Sequence, residues 1–347
     1  IEHGMKSLPQ PVMLYYYGPV FRHEKPQRGR YRQHKQFGFE ILGTDKSIAD
    51  AIVIRSIVDT LEEVGFKNLC IDINSIGDSE CRPLYRRALI AYYKKNMDVL
   101  CTDCKNRLRI NPLRVLDCKN IKCSALKEGA PESLNFLCAG CKKHFKEVIE
   151  YLESMNMHYR INNFLVRGLD YYTRTVFEIV GNTKKEIEED DETKDDDIKN
   201  DSNPLAVAGG GRYDNLSKAF GNRKPIPAVG GSIGVDRLIE LENLKIPNPR
   251  IIKKPKIYFV QLGFEAKLKS LPILEILRKA NIPIIQSLSK NSLGAQLSIA
   301  EKNKIPYVII FGQKEAIEGT AIIRNMADHS QDVVKIENLV SHLKKIK

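Results

Sequence analysis

An α+β body followed by a small α/β domain is the architecture this sequence predicts, and three patterns predict it. Strand-like runs at 11–24 and 33–43 flank one short basic loop, which marks an antiparallel hairpin. PLAVAGGGRYDNL and AVGGSIGVDRLIELENL each pass from an apolar strand through glycines into a helix. From residue 256 onward, the short apolar strands KIYFVQLG, NIPIIQS and IPYVIIFG alternate with helical stretches at 265–280 and 291–303, as in a small, mainly parallel α/β sheet. A Pro- and Lys-rich stretch joins the two parts, so the expected division is 1–245, a linker at 246–255, and 256–347.

The elements between follow in order. After the hairpin, Thr44 is the expected N-cap of a helix. Ile48, Ala51, Ile54, Ile57, Val58 and Leu61 recur at helical spacing, and Gly65 stops it. NLCIDINSIGD reads as a strand entering a turn, 79–96 as a basic helix, and 141–155 as another helix. Between them, 98–141 forms a Cys-rich insertion with six of the eight cysteines. FLVRGLDYYTRTVFEIVG reads as a strand pair around a tight Gly-Leu-Asp turn. An acidic, aromatic-free stretch at about 182–203 is expected to be a disordered surface loop between two strands.

Composition narrows the function classes. No run of about eighteen apolar residues exists, so a membrane span is not expected. The chain carries a net +12, and Lys184–Asp201 holds ten acids against four lysines, which leaves +18 on the remainder. That excess suits a polyanionic partner such as nucleic acid, although a lysine-rich proteome gives the same sign. With no secretory signal visible, the cysteines are expected as thiols or metal ligands. Cys101-x-x-Cys104 and Cys138-x-x-Cys141 have zinc-knuckle spacing, so Zn2+ on those four and six reduced thiols are both open. The expected location is the cytoplasm or an organelle.

Strand alternation marks a candidate ligand face. In 33–43, Lys35, Phe37, Phe39 and Ile41 share one side, while Gln36, Gly38 and Glu40 share the other. Gly38 leaves room for a ligand, and Glu40 suits a cationic or N–H-bearing group there. A solvent-facing strand with a stray carboxylate fits the alternation equally well. Arg22, Arg167 and Arg237 sit at strand ends or beside glycines, positions where fixed guanidinium forks suit a polyphosphate. Gly-rich helix entries add backbone N–H groups to that picture.

These segments resemble one family. GPVFRHEKPQRGRYRQHKQFGFEILG is similar to motif 2 of class II aminoacyl-tRNA synthetases in its histidyl form. LVRGLDYYTRTVFE and AGGGRYDNL resemble two signatures of histidyl-tRNA synthetases. PAVGGSIGVDRL resembles class II motif 3, with Gly231 where an aromatic is commonest, and 256–347 resembles the family's anticodon-binding domain. The resemblance implies a class II antiparallel-sheet catalytic domain, without its N-terminal motif 1 region, ahead of an α/β anticodon-binding domain. The implied reaction joins L-histidine to tRNA(His) through histidyl-adenylate, using ATP and Mg2+.

Residue roles carry over by position. Arg22 and Arg167 would be catalytic, flanking the α-phosphate. Arg22, Glu24, Arg30 and Arg237 would bind ATP. Gln36, Glu40, Tyr171 and Tyr172 would bind histidine, with Glu40 and Tyr172 on the imidazole. Lys25, Gln27, Arg28 and Arg32 would meet the tRNA acceptor end. The family's motif 1, which builds its dimer interface, and an acidic amino-group-binding loop would lie ahead of Ile1. The full-length protein is therefore expected to be a homodimer, and this segment alone to aminoacylate weakly or not at all. Two other functions compete: a non-catalytic synthetase-like sensor of histidine or tRNA, and a zinc-ribbon nucleic-acid module. Retention of both RGLDYY and the anticodon-type domain argues against the sensor.

Overall fold

The computed structural model describes residues 4–23, 31–168, 170–181, 206–239 and 255–345. The acidic stretch and most of the basic loop lie outside them. The chain divides into two compact units, 1–149 with 157–247, and 150–156 with 248–347. Among the described residues no helix is long and apolar enough to cross a membrane.

The first unit is built on a seven-stranded sheet. Its strands are β1 (Val12–Phe21), β2 (Gln33–Leu42), β3 (Cys70–Ser75), β4 (Tyr159–Ile161), β5 (Thr173–Val180), β6 (Ala206–Arg212) and β7 (Ala228–Gly234). They run in the order β1-β2-β7-β6-β5-β3-β4, and all neighbours are antiparallel except β3 and β4. The expected hairpin is present, with Tyr16 opposite Gly38 and Leu14 opposite Glu40. β1 forms the sheet edge and leaves Tyr15, Tyr17 and Phe21 exposed.

Helix α1 (Ser47–Glu63) covers one face of this sheet, burying Ile48, Ile54, Ile57 and Leu61. The expected cap differs. Thr44 lies three residues before the helix, and its carbonyl accepts from Arg212 Nη1 at 3.0 Å. The helix instead opens at Ser47, whose hydroxyl donates to Glu147 Oε2 at 2.5 Å. Arg212 and Asp50 are both fully buried on this face. Arg212 Nη2 donates to Asp50 Oδ2 at 2.8 Å and Nη1 to Asp214 Oδ1 at 2.9 Å, while His144 Nε2 lies 3.2 Å from Asp50 Oδ1. The guanidinium holds the Asp50 carboxyl well below its usual range, against the opposing effect of burial.

Two expectations about the glycine-rich and signature segments change. The glycines of AGGG sit inside β6 and those of GGSIG inside β7, whose last residue, Gly234, leads directly into a short helix at Val235–Ile239. Gly210 pairs with Gly231 and Gly211 with Gly230. A Cβ on Gly210 would collide with the Gly230 carbonyl, and one on Gly231 would meet Ile57 Cδ1 at 2.7 Å and Phe177 Cζ at 2.8 Å. Close backbone approach, not phosphate cradling by a helix, is what these positions require. FLVRGLDYY also fails to form the first half of a strand pair. Asn74 Nδ2 donates to the carbonyls of Asn163 and Leu165, at 3.2 and 3.1 Å, so side-chain bonding replaces a ladder there. The regular strand starts at Thr173.

The insertion after β3 holds α2 (Arg82–Lys95), α3 (Thr102–Ile110) and α4 (Ile121–Ala125), and α5 (Ala139–Ser154) follows it. Tyr85, Leu89, Tyr93 and Val115 pack there in one apolar cluster with Leu165, Tyr172 and Val176. The second unit carries a five-stranded sheet in the order β12-β11-β10-β8-β9. Here β8 (Ile257–Gln261), β9 (Ile284–Gln286) and β10 (Tyr307–Phe311) are parallel, as expected. Strands β11 (Thr320–Asn325) and β12 (Gln331–Lys335) extend the sheet antiparallel. Helices at Phe264–Lys279 and Leu293–Lys302 match the helical spacing of the sequence.

Candidate active site

The face of the first sheet opposite α1 collects most of the described candidate residues. Cross-strand register puts Glu40 beside Gly230 and Gly230 beside Gly211. It also puts Gly38 beside Ser232, Ser232 beside Gly209, and Gly209 beside Glu178. The glycines strip this floor of side chains, and neighbouring residues lie flat across it. A Cβ on Gly230 would collide with the Glu40 carboxylate, and one on Gly38 with the Tyr16 ring. A Cβ on Gly209 would meet Arg167 Nη1 at 2.6 Å.

Glu40 accepts a hydrogen bond from the Tyr213 hydroxyl. Burial pushes the Glu40 carboxyl above its usual range, although the phenol works the other way. Burial, and then the adjacent carboxylate, push the Tyr213 phenol up as well, so its proton stays on oxygen. Tyr171 packs against Tyr172 at 4.8 Å between ring centroids and edge-on against Tyr213 at 5.9 Å. Tyr16 adds a fourth phenol, hydrogen-bonded to Ser232 and raised first by burial and then by Glu40. The result is an aromatic-walled recess with one carboxylate at its base.

Arg167 lies at the side of this recess. Its guanidinium is 6.0 Å from the Tyr172 ring centroid and ion-paired with Glu178. Tyr172 is fixed from behind, where Arg82 donates to its backbone carbonyl and to that of Gly77 at 3.0 Å. The strand breaks register between Thr173 and Val176, and Arg174 takes φ 52°. Such a bulge re-aims the chain beside a site.

A second cluster lies toward the other end of β2. Gln36 Nε2 is 3.2 Å from His34 Nε2, and the Lys35 amide donates to Asp236 Oδ2 at 2.5 Å. Desolvation and then the Arg22 charge lower the His34 pKa, and Arg237 adds to this against Asp236, so both arginines lie within electrostatic range of His34. The Arg237 guanidinium also donates to the Ala206 carbonyl. Gln36 and Glu40 are four residues apart on one strand, about 13 Å at ~3.3 Å per residue. One extended molecule can therefore reach from the recess to the arginines.

Of the sequence-derived residues, Arg167, Glu40, Tyr171 and Tyr172 gather in the recess, and Arg22, Gln36 and Arg237 around His34. Arg32 is exposed, and its carbonyl accepts the Arg22 amide at 2.6 Å. Glu24, Lys25, Gln27, Arg28 and Arg30 lie outside the described residues. The cysteine quartet is divided. Cys101 and Cys104 meet Cys118 and Cys123, while Cys138 and Cys141 meet Cys81 and Asp78. Spacing finds each CxxC pair but not its partner, because the partners come from different elements. Sequence reasoning also missed Tyr213, Tyr16 and Glu178. Tyr213 lay in view inside GGGRYD, one residue from a buried arginine on the opposite face.

Comparison with known proteins places these features in context. Residues 1–81 and 136–238 match the family model described as Histidyl-tRNA synthetase, and 256–346 match that described as Anticodon binding domain. A histidine–tRNA ligase of Dehalococcoides mccartyi is 39% identical over 345 residues, covering 99% of this chain and 78% of its own. That of Caldicellulosiruptor saccharolyticus gives the same identity and coverage. The crystal structure of apo Staphylococcus aureus histidyl-tRNA synthetase matches with a TM-score of 0.52 and 28% identity, over 99% of this chain and 80% of that one.

Proposed function

We infer that this chain, which belongs to the histidyl-tRNA synthetase family, activates L-histidine with ATP and transfers it to tRNA. The observation that carries the residue-level reading is the Glu40 carboxylate. It is held over Gly230, bonded to the Tyr213 phenol, and has no cationic hydrogen-bond partner among the described residues. An imidazole supplies what it lacks, an N–H or a positive charge. Tyr213, Tyr171 and Tyr172 would enclose the ring, and Gln36 would contact the amino group. An analogue without a ring nitrogen would leave a buried polar group unpaired, which is the strongest basis for rejection.

The chemistry follows from the charges. The histidine carboxylate attacks the α-phosphorus of ATP, and the bond to the bridging oxygen breaks as pyrophosphate leaves. Two anions must meet, so Arg22 and Arg167 would flank the reacting phosphate. Glu178 holds Arg167 in place across Gly209. Arg237, with Arg30, would take the γ-phosphate, and Glu24 would lie near adenine. No general base is required, because the carboxylate is already the nucleophile. A ribose hydroxyl of the tRNA end then attacks the activated carbonyl and AMP leaves. Lys25, Gln27, Arg28 and Arg32 would approach the acceptor end, and the second unit the anticodon.

Magnesium neutralises phosphate charge when it accompanies ATP. The multi-donor clusters among the described residues are dominated by cysteine, a soft ligand unsuited to that cation. The metal would therefore be carried by the phosphates, and no step is assigned to protein ligands for it. The apolar β1 edge, with Tyr15, Tyr17 and Phe21 exposed, would be covered by a second copy in a homodimer.

Histidine-dependent ATP–pyrophosphate exchange tests the reading. Exchange should require L-histidine and fall about 10²–10³-fold in Arg167→Ala. Histidine binding without any exchange in the full-length protein would favour the sensor instead.

A further inference from the structure

The structure assigns a tetrathiolate metal site, suited to Zn2+, to Cys101, Cys104, Cys118 and Cys123. This goes beyond the synthetase reading and does not depend on it. The four sulfurs all lie within 4.8 Å of one another. Cys101 Sγ and Cys118 Sγ are 3.9 Å apart. A disulfide needs about 2.05 Å. Tetrahedral zinc with Zn–S bonds of about 2.3 Å needs sulfurs about 3.8 Å apart. The observed spacing is that of ligands around a common centre.

The chain delivers these sulfurs in the manner of a structural site. Cys101 precedes the first residue of α3 and Cys104 lies in its first turn, so a CxxC pair converges at one helix end. Cys118 arrives from the segment leading into α4 and Cys123 from within α4 itself. The Cys101 amide donates to Cys123 Sγ at 3.2 Å, an orientation that steadies a thiolate. Cys104, Cys118 and Cys123 are buried and Cys101 is half-buried, and four thiolates leave no open coordination position. Four thiolates select zinc over magnesium or calcium.

The surrounding structure gives the site a purpose. Between Cys101 and Ala125 the regular elements are a nine-residue helix, a four-residue 3-10 turn and a five-residue helix. None is long enough to be stable alone. A bound ion would cross-link α3 to α4 and add to the apolar cluster that packs them. The rival arrangement is four thiols packed as small apolar groups, and it makes different predictions.

Metal analysis of the whole purified chain, with cobalt(II) substitution, separates them. One zinc per chain should be lost in Cys118→Ala relative to the parent and retained in Cys138→Ala. Apo protein titrated with cobalt(II) should show the intense thiolate charge-transfer and tetrahedral ligand-field bands of a four-sulfur centre. The cobalt readout uses the unsubstituted chain, so it holds even if Cys118→Ala folds poorly. Less than about a tenth of an equivalent of zinc, with no such cobalt bands, overturns the assignment. So does full zinc retention by Cys118→Ala.

Discussion

Arg212 and Tyr213 are neighbours in sequence, yet they serve two carboxylates on opposite faces of one sheet. Arg212 holds Asp50 under α1, where a full guanidinium fork pulls that carboxyl down in spite of its complete burial. Tyr213 meets Glu40 on the open face, where a neutral phenol is the partner and burial pushes the carboxyl up. Both groups are acidic and both are taken from water. The difference is that one charge is neutralised by the protein itself and the other is left for a ligand. Fold and specificity are thus written in adjacent residues.

Breaking the closed pair should have the largest effect. Arg212→Met leaves Asp50 buried without its cation and should cost about 3–5 kcal/mol of stability, read by urea unfolding. A loss below about 1 kcal/mol would mean that Asp50 is satisfied by other groups. Gly230→Ala attacks the open pair alone. Its methyl group displaces the Glu40 carboxylate, a movable side chain, so histidine affinity should fall about 30-fold or more while unfolding shifts by less than about 1 kcal/mol. Equal losses in both would erase the distinction between the faces. Tyr213→Phe removes one hydrogen bond and should weaken histidine binding by about 1 kcal/mol, roughly fivefold.

Acidity gives the smallest and most discriminating effect. Asp50 has a depressed folded-state pKa, so its stabilisation is present above the unfolded value, about 3.9, and is lost as pH falls below it. Glu40 has a raised one, so its charge costs stability above that raised value and costs nothing in acid. Asp50→Asn should therefore be less stable than the parent at neutral pH, and Glu40→Gln more stable. The Glu40 difference should shrink toward zero as pH falls to about 3, while the Asp50 difference only begins to shrink there and is lost as pH falls through its depressed folded-state value. Unfolding curves at three pH values would show differences of the same sign if the two carboxylates were equivalent.

Much of this was legible in the sequence, for identifiable reasons. Period-2 alternation places Gln36, Gly38 and Glu40 on one face, and family motifs locate the arginines and tyrosines. The glycine runs were legible as strands leading to helices, but not for what their middle positions do. Here the glycines pair across β6 and β7 in mid-sheet, a packing requirement that only the strand order reveals. Tyr213 escaped notice because its role depends on Gly230 leaving space between β2 and β6. The cysteines show the same limit: local spacing names pairs, and tertiary convergence assigns their partners.

Calorimetric titration of L-histidine into the parent and Glu40→Gln, with unfolding measured on both at neutral pH, tests the central claim most directly. Affinity should fall by about 2–3 kcal/mol, some 30- to 150-fold, while the variant unfolds no more easily than the parent. Unchanged affinity, or a variant that loses stability in step with binding, would contradict the account of Glu40 as a carboxylate left open for imidazole.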